Sequence, residues 1–192
     1  ASAQASGKHA ELHVASAGLG LLPIERTAPS YSATFSRGNR DSVVPAGRSA
    51  SEHREATREW WRLLTHRRTS LQRLARDFAR VVVVLSPDYL DAVTDDLVAA
   101  VGSDASRILV FATGAPTHPS LRPVWVQVRR GLRETSEDRP VPLINGLDAT
   151  LLQSTAALIV SKDLSEWSSA EQVQRFLDEH APPDEITNEG RA

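Results

Sequence analysis

The sequence predicts a mixed α/β fold: one domain with a mixed or mostly parallel central sheet flanked by helices. Three observations predict it. Val81-Val82-Val83-Val84-Leu85 is an unbroken run, mostly β-branched, of the kind found in strands buried on both faces. Ser86-Pro87-Asp88 then opens a helical pattern, and Arg107-Ile108-Leu109-Val110-Phe111-Ala112 is a second strand of the buried type. Strand, helix and strand in that order read as a right-handed parallel crossover.

Ala1 to Ala10 is small and polar and reads as a flexible lead-in. Leu12 and Val14 begin a short strand that breaks at Gly18 and Gly20, where a backbone can turn tightly or lie close to a ligand. Two prolines follow, then Tyr31 and a long Gly, Ser, Asn and Arg-rich loop from Ser36 to Ser51. Loops of that length in a compact domain are often functional.

Ser51 is read as an N-cap for a helix carrying Trp60, Trp61, Leu63 and Leu64. After a break at Thr69-Ser70, Leu71, Leu74, Ala75 and Phe78 continue on one helical face. The helix after Val84 is capped by Ser86, starts at Pro87, places Asp88 in the favourable end of its dipole and closes at Gly102. Leu121 to Leu132 is ambiguous and is read as helix after Pro123. Pro140 to Ile144 is read as a strand, Asn145-Gly146 as a turn and Ala149 to Val160 as an apolar helix. Ser169 caps a last helix through Val173, Phe176 and Leu177. No internal repeat is visible.

Composition narrows the function. The chain has 192 residues, of which 41% are hydrophobic and 24% charged, with a formal net charge of -2. That fits one soluble domain over residues 1–181 with an acidic tail over 182–192, and the net charge does not mark a nucleic-acid binder. The distribution is uneven. Nine arginines between Arg48 and Arg80 meet four acids, whereas eight acids between Asp163 and Ala192 meet two arginines. Such runs commonly form solvated faces or tails.

Cysteine is absent, which excludes disulfides and thiolate chemistry. No apolar run reaches the roughly 20 residues that span a bilayer. A cytoplasmic location with no membrane partner is expected. Methionine is absent even at the start, read as a processed or truncated N-terminus that leaves room for a missing first strand.

Nucleotide fingerprints fail, because Gly18-Leu19-Gly20 lacks a third glycine, a helix start and a phosphate-binding lysine. The six histidines show no metal-ligand spacing, so neither metal nor cofactor is expected. Ser16 has no evident base partner. Ligands in open α/β sheets gather outside the carboxyl ends of strands. If the first strand lies parallel beside Val81–Leu85, Ser16, Gly18 and Gly20 share a cleft with Ser86, Asp88 and Tyr89. Trp60 and Trp61 point about 100° apart on a helix, so at most one is central to the core and the other packs at the rim or stacks on a base. Arg54, Arg58, Arg62, Arg67 and Arg68 can track a phosphate backbone, or pair within the helix with Glu55 and Glu59.

Leu12 to Leu22 with Tyr31 resembles the Ser-Gly-Leu-Tyr-Gly-Leu-Leu and Pro-Tyr block of the YaaA peroxide-stress family and its distant relatives. Trp60 or Trp61 falls where that family has an aromatic residue opening a helix, and Val81 to Val93 resembles its strand followed by Ala-Ser-x-Glu-Tyr-Phe. Leu151 to Phe176 is similar, more weakly, to its last helices.

The resemblance implies a mixed α/β fold with a positive, DNA-binding cleft linked to protection from oxidative damage. In a DpdC-like branch it implies deazapurine DNA modification, a nitrile becoming an amide. Carried over by position, Ser16, Gly18, Gly20, Tyr31, Ser86, Asp88 and Tyr89 line the cleft. Two departures stand out: Gly146-Leu147-Asp148-Ala149-Thr150 replaces the family's basic run, and its Ser-Pro-Ala-Lys strand is missing.

Three functions follow as expectations: a protein binding DNA or a nucleotide, a metal-free nucleobase-modifying enzyme using Asp88, Tyr89 or Ser16, and an interaction module meeting a protein partner through the basic helices or the acidic tail.

Overall fold

The computed structural model describes residues 10–66, 68–128 and 169–180. Strand β1 (His13–Ser16) and β2 (Gly20–Pro23) form an antiparallel hairpin. Helices α1 (Ala50–Thr65) and α2 (Leu71–Asp77) precede β3 (Val81–Val84) and α3 (Pro87–Asp104). Then come β4 (Ile108–Ala112), β5 (Trp125–Gln127) and, later in the chain, α4 (Ala170–His180). Strands β3, β4 and β5 make one parallel sheet in that order, so the mixed α/β class holds.

Alternation along these strands divides the core into two. Val83, Ile108, Val110 and Trp125 face the side covered by α1, α2, α3 and the hairpin. Leu109, Phe111, Val126 and Val128 face the other side, where Ala170, Val173 and Leu177 of α4 cover them. Every residue of β4 is buried.

Several sequence readings are corrected. The run at Val81 is an edge of the described sheet with only Val83 fully buried, and the strand buried on both faces is β4. The hairpin is a separate sheet, so β1 is not a parallel neighbour of β3. Helix α1 is capped by Ser49 rather than Ser51. Ser49 Oγ accepts from Glu52 N at 3.3 Å while Glu52 Oε2 accepts from Ser49 N at 2.8 Å, a reciprocal capping box. Helix α3 runs past Gly102 to Asp104. Pro119–Val124 is a 3-10 turn and Trp125–Gln127 a strand, where helix is expected after Pro123. The readings for Pro140–Ile144 and Ala149–Val160 lie outside the described residues.

Seven-residue α2 is too short to stand alone, and charges from elsewhere hold both its ends. At its start, Asp96 of α3 accepts from Leu71 N (2.9 Å), Gln72 N (3.2 Å) and the buried Trp61 Nε1 (3.3 Å). At its end, Arg107 Nη1 donates to the carbonyls of Ala75 (3.3 Å) and Arg76 (3.2 Å). Both placements also suit the helix dipole. Asp96→Ala is therefore expected to destabilise the fold by about 2–3 kcal/mol in urea unfolding, because three donors lose one shared acceptor. Asp96→Asn, which keeps an acceptor but no charge, should lose less.

Candidate functional site

The hairpin turn is Ala17-Gly18-Leu19, closed by Gly20 at a φ of 81°, a conformation that costs other residues strain. Each of its three residues is held by a different side chain. Trp60 Nε1 donates to the Ala17 carbonyl at 2.7 Å. The Tyr31 ring lies on Gly18, where a Cβ would sit 2.8 Å from Cδ2 and Cε2. Arg68 Nη1 donates to the Leu19 carbonyl at 3.1 Å. Beneath the turn, the buried Ser16 hydroxyl accepts from Leu19 N at 3.0 Å and is hydrogen-bonded to the Tyr31 hydroxyl.

Tyr89, in the first turn of α3, lies close enough to the turn to feel Tyr31 and the Ala17 backbone. It packs edge-on to the buried Phe35 at 4.9 Å between centroids. Burial raises its phenol above the usual value, Tyr31 adds to this, and the Thr34 hydroxyl and Ala17 backbone act against it. The ring therefore keeps its proton through neutral pH.

Ser16, Gly18, Tyr31 and Tyr89 thus meet, at the carboxyl end of β3 and without β1 belonging to that sheet. What they form is not an open cleft, because Tyr31 and Trp60 lie against the turn. Asp88 is exposed on the outside of α3 and Ser86 sits at its N-cap without a side-chain capping bond. Gly20 faces Leu64 of α1 and not Tyr31. A small hollow of about 130 Å³ lies by the start of β4, among Arg80, Ser106, Ile108, Pro123 and Ser169, and holds none of the predicted residues.

The arginines do not form one free row. Arg62 is held by both oxygens of Glu59, at 2.7 and 2.5 Å. Arg58 Nε donates to the Asp91 carbonyl at 3.1 Å. Arg68 bonds a neutral carbonyl and makes no ion pair among the described residues, and Arg54 is exposed beside Asp91. Arg67 lies outside the described residues.

Sequence reasoning placed Trp60 only in general terms and missed what it and Arg68 hold. A tryptophan doublet on a helix, one ring of which must leave the core, was the available signal. It also missed a second polar contact, the buried His53 Nε2 against Ser42 Oγ at 3.4 Å, which ties the long loop to α1.

Ser16's hydrogen-bond partners are an amide and a phenol, neither of them a base, so the site offers no route to an activated serine through those contacts. Its chemistry is that of neutral hydroxyls, half-exposed aromatic rings and a nearby cation. Among the described residues no cluster of side chains suits a metal ion and no helix is long and apolar enough to cross a membrane. No protein-family model matches the chain, and no curated protein and no solved structure matches it. The fold and site therefore define the class, a mixed α/β protein with an aromatic turn beside its parallel sheet.

Two predictions follow from this geometry. Gly18→Ala forces the exposed Tyr31 ring aside without straining the backbone, so in a double-mutant cycle the pair Gly18→Ala and Tyr31→Ala should be no less stable than Tyr31→Ala alone. Additive losses in chemical unfolding would show that Gly18 contacts something else.

Asp91 is raised by burial, against the pull of Arg54, Arg58 and His53, with Asp88 adding to the rise. Its neutral form favours the fold below the ordinary carboxylate range, and that contribution is lost as pH rises through the folded value. Asp91→Asn should accordingly melt higher than the parent near pH ~7, with the gap closing towards pH ~4. Thermal melts at the two pH values measure it, and a gap that ignores pH would rule out ionisation as the cause.

Proposed function

We propose that this is a YaaA-like nucleic-acid-associated protein that binds DNA or a nucleotide at the aromatic turn, as a binding module without catalytic action of its own. The observation that carries the reading is the meeting of Ser16, Gly18, Tyr31 and Tyr89, which come from three separate stretches of the chain and are four of the seven residues the family resemblance assigns to a ligand site. One exposed cation, Arg68, is bonded to the turn itself and can meet a phosphate of such a ligand. Hydroxyls and rings without a partner base suit recognition better than bond breaking.

One observation favours a second reading. Leu12, Val14 and Ile24 are exposed on the hairpin face turned away from the core, as a protein-binding surface would be.

Titration of the chain with single-stranded and duplex DNA at two salt concentrations separates the two. Binding at low salt that weakens as salt rises is expected. One phosphate contact at Arg68 gives a slope of about -0.7 in log affinity against log salt on single strands. Absence of binding at low salt, or indifference to salt, would overturn the nucleic-acid reading and leave the protein-interaction one.

A further inference from the structure

We infer that the turn receives one unpaired nucleotide, its base against Tyr31 and Trp60 and its phosphate at Arg68, so that single-stranded nucleic acid is preferred to intact duplex. This rests on the nucleotide-binding reading above and narrows it to a ligand class.

Successive turn residues Ala17, Gly18 and Leu19 carry Trp60, Tyr31 and Arg68 in that order. Consecutive Cα atoms are about 3.8 Å apart, so two rings and a cation are gathered within the reach of one nucleotide. Tyr31 is 44% exposed and Trp60 39%, large for aromatic residues.

Their polar ends are already occupied. The Trp60 N–H is spent on the Ala17 carbonyl and the Tyr31 hydroxyl on Ser16. What the rings have left to offer is apolar surface, held in a fixed orientation by those bonds. Rings ordered before binding lose little freedom when a base stacks on them. Stacking tolerates any base, since every base has a π-face. Arg68, with its hydrogen bond made to a neutral carbonyl, keeps its charge for a phosphate.

Intact duplex fits less well on two counts. Its bases present no free face without being unstacked and extruded. Its backbone is met by rows of cations, and here the row on α1 is interrupted: Arg62 is clasped by Glu59 and Arg58 turns to the Asp91 carbonyl.

The test uses the full chain with an oligothymidylate and a blunt duplex of equal length at low salt, followed by tryptophan emission. The single strand should bind at least about tenfold more tightly than the duplex, and quench emission. Trp60→Phe should remove most of that quenching. Tyr31→Ala should weaken single-strand binding about tenfold, Tyr31→Phe much less because the ring remains, and Arg68→Gln should lower the salt slope by about 0.7. Melting curves establish that each variant is folded. Duplex binding as tight as single-strand binding, or a folded Tyr31→Ala that binds as the parent does, would overturn the inference while leaving the nucleic-acid reading standing. Absence of binding to either DNA would overturn both.

Discussion

Strand β4 buries all five of its residues, and the rest of the fold answers to that constraint. A strand apolar on both faces has to be covered twice. Its odd and even positions belong to different cores, one closed by α4 and the other by α1, α2, α3 and the hairpin. Parallel neighbours β3 and β5 satisfy its backbone groups. Helix α3, carried from β3 to β4, then becomes the support of the second core, and its side chains reach outward to set what surrounds it. Asp96 starts α2 and Tyr89 meets the hairpin turn.

The hairpin is therefore a satellite of that core, placed by side chains and not by sheet pairing. Two strands alone are marginal. This pair is held by Ala15, Ala17 and Leu21 packing inward, by the edge contact of His13 with Phe78, and by three side-chain clasps on the turn. Trp60 and Leu64 come from one helix, so α1 sets the turn's position directly. The partition between the doublet tryptophans expresses the same geometry. Trp61 is buried with its N–H on Asp96, and Trp60 leaves the core to clasp Ala17.

Legibility followed the range of the interactions. The β3, α3 and β4 unit was readable because continuous apolar runs and a proline at the first helical position are local features. The cap of α1 was misplaced by two residues because Ser49 and Ser51 both qualify, and only the spacing from Ser49 to Glu52 distinguishes them. Strand β5 was not readable: three residues after a proline have too little pattern, and their strand character comes from pairing with β4. Asp96 gave no signal at all, since its bonds cross 24, 25 and 35 positions of chain. At the site, Ser16, Gly18, Tyr31 and Tyr89 of the resemblance come together, while Gly20, Ser86 and Asp88 do not join them. The clasping roles of Trp60 and Arg68, which bridge 43 and 49 positions, were invisible for the same reason as Asp96.

The two glycines of the turn show why a structural and a ligand-binding role need not compete. Gly20 is required by its own backbone angle, whatever lies near it. Gly18 is required by what lies on it, because a side chain there would collide with the Tyr31 ring. A turn bare enough to carry one planar ring against its backbone must also be held still, and the clasps from Trp60 and Arg68 supply that rigidity. The same clasps leave two ring surfaces and a cation at the solvent edge. A turn built only to reverse the chain would need the first property and not the second, so it is the exposure of Tyr31 and Trp60, more than the glycines, that sets this turn apart.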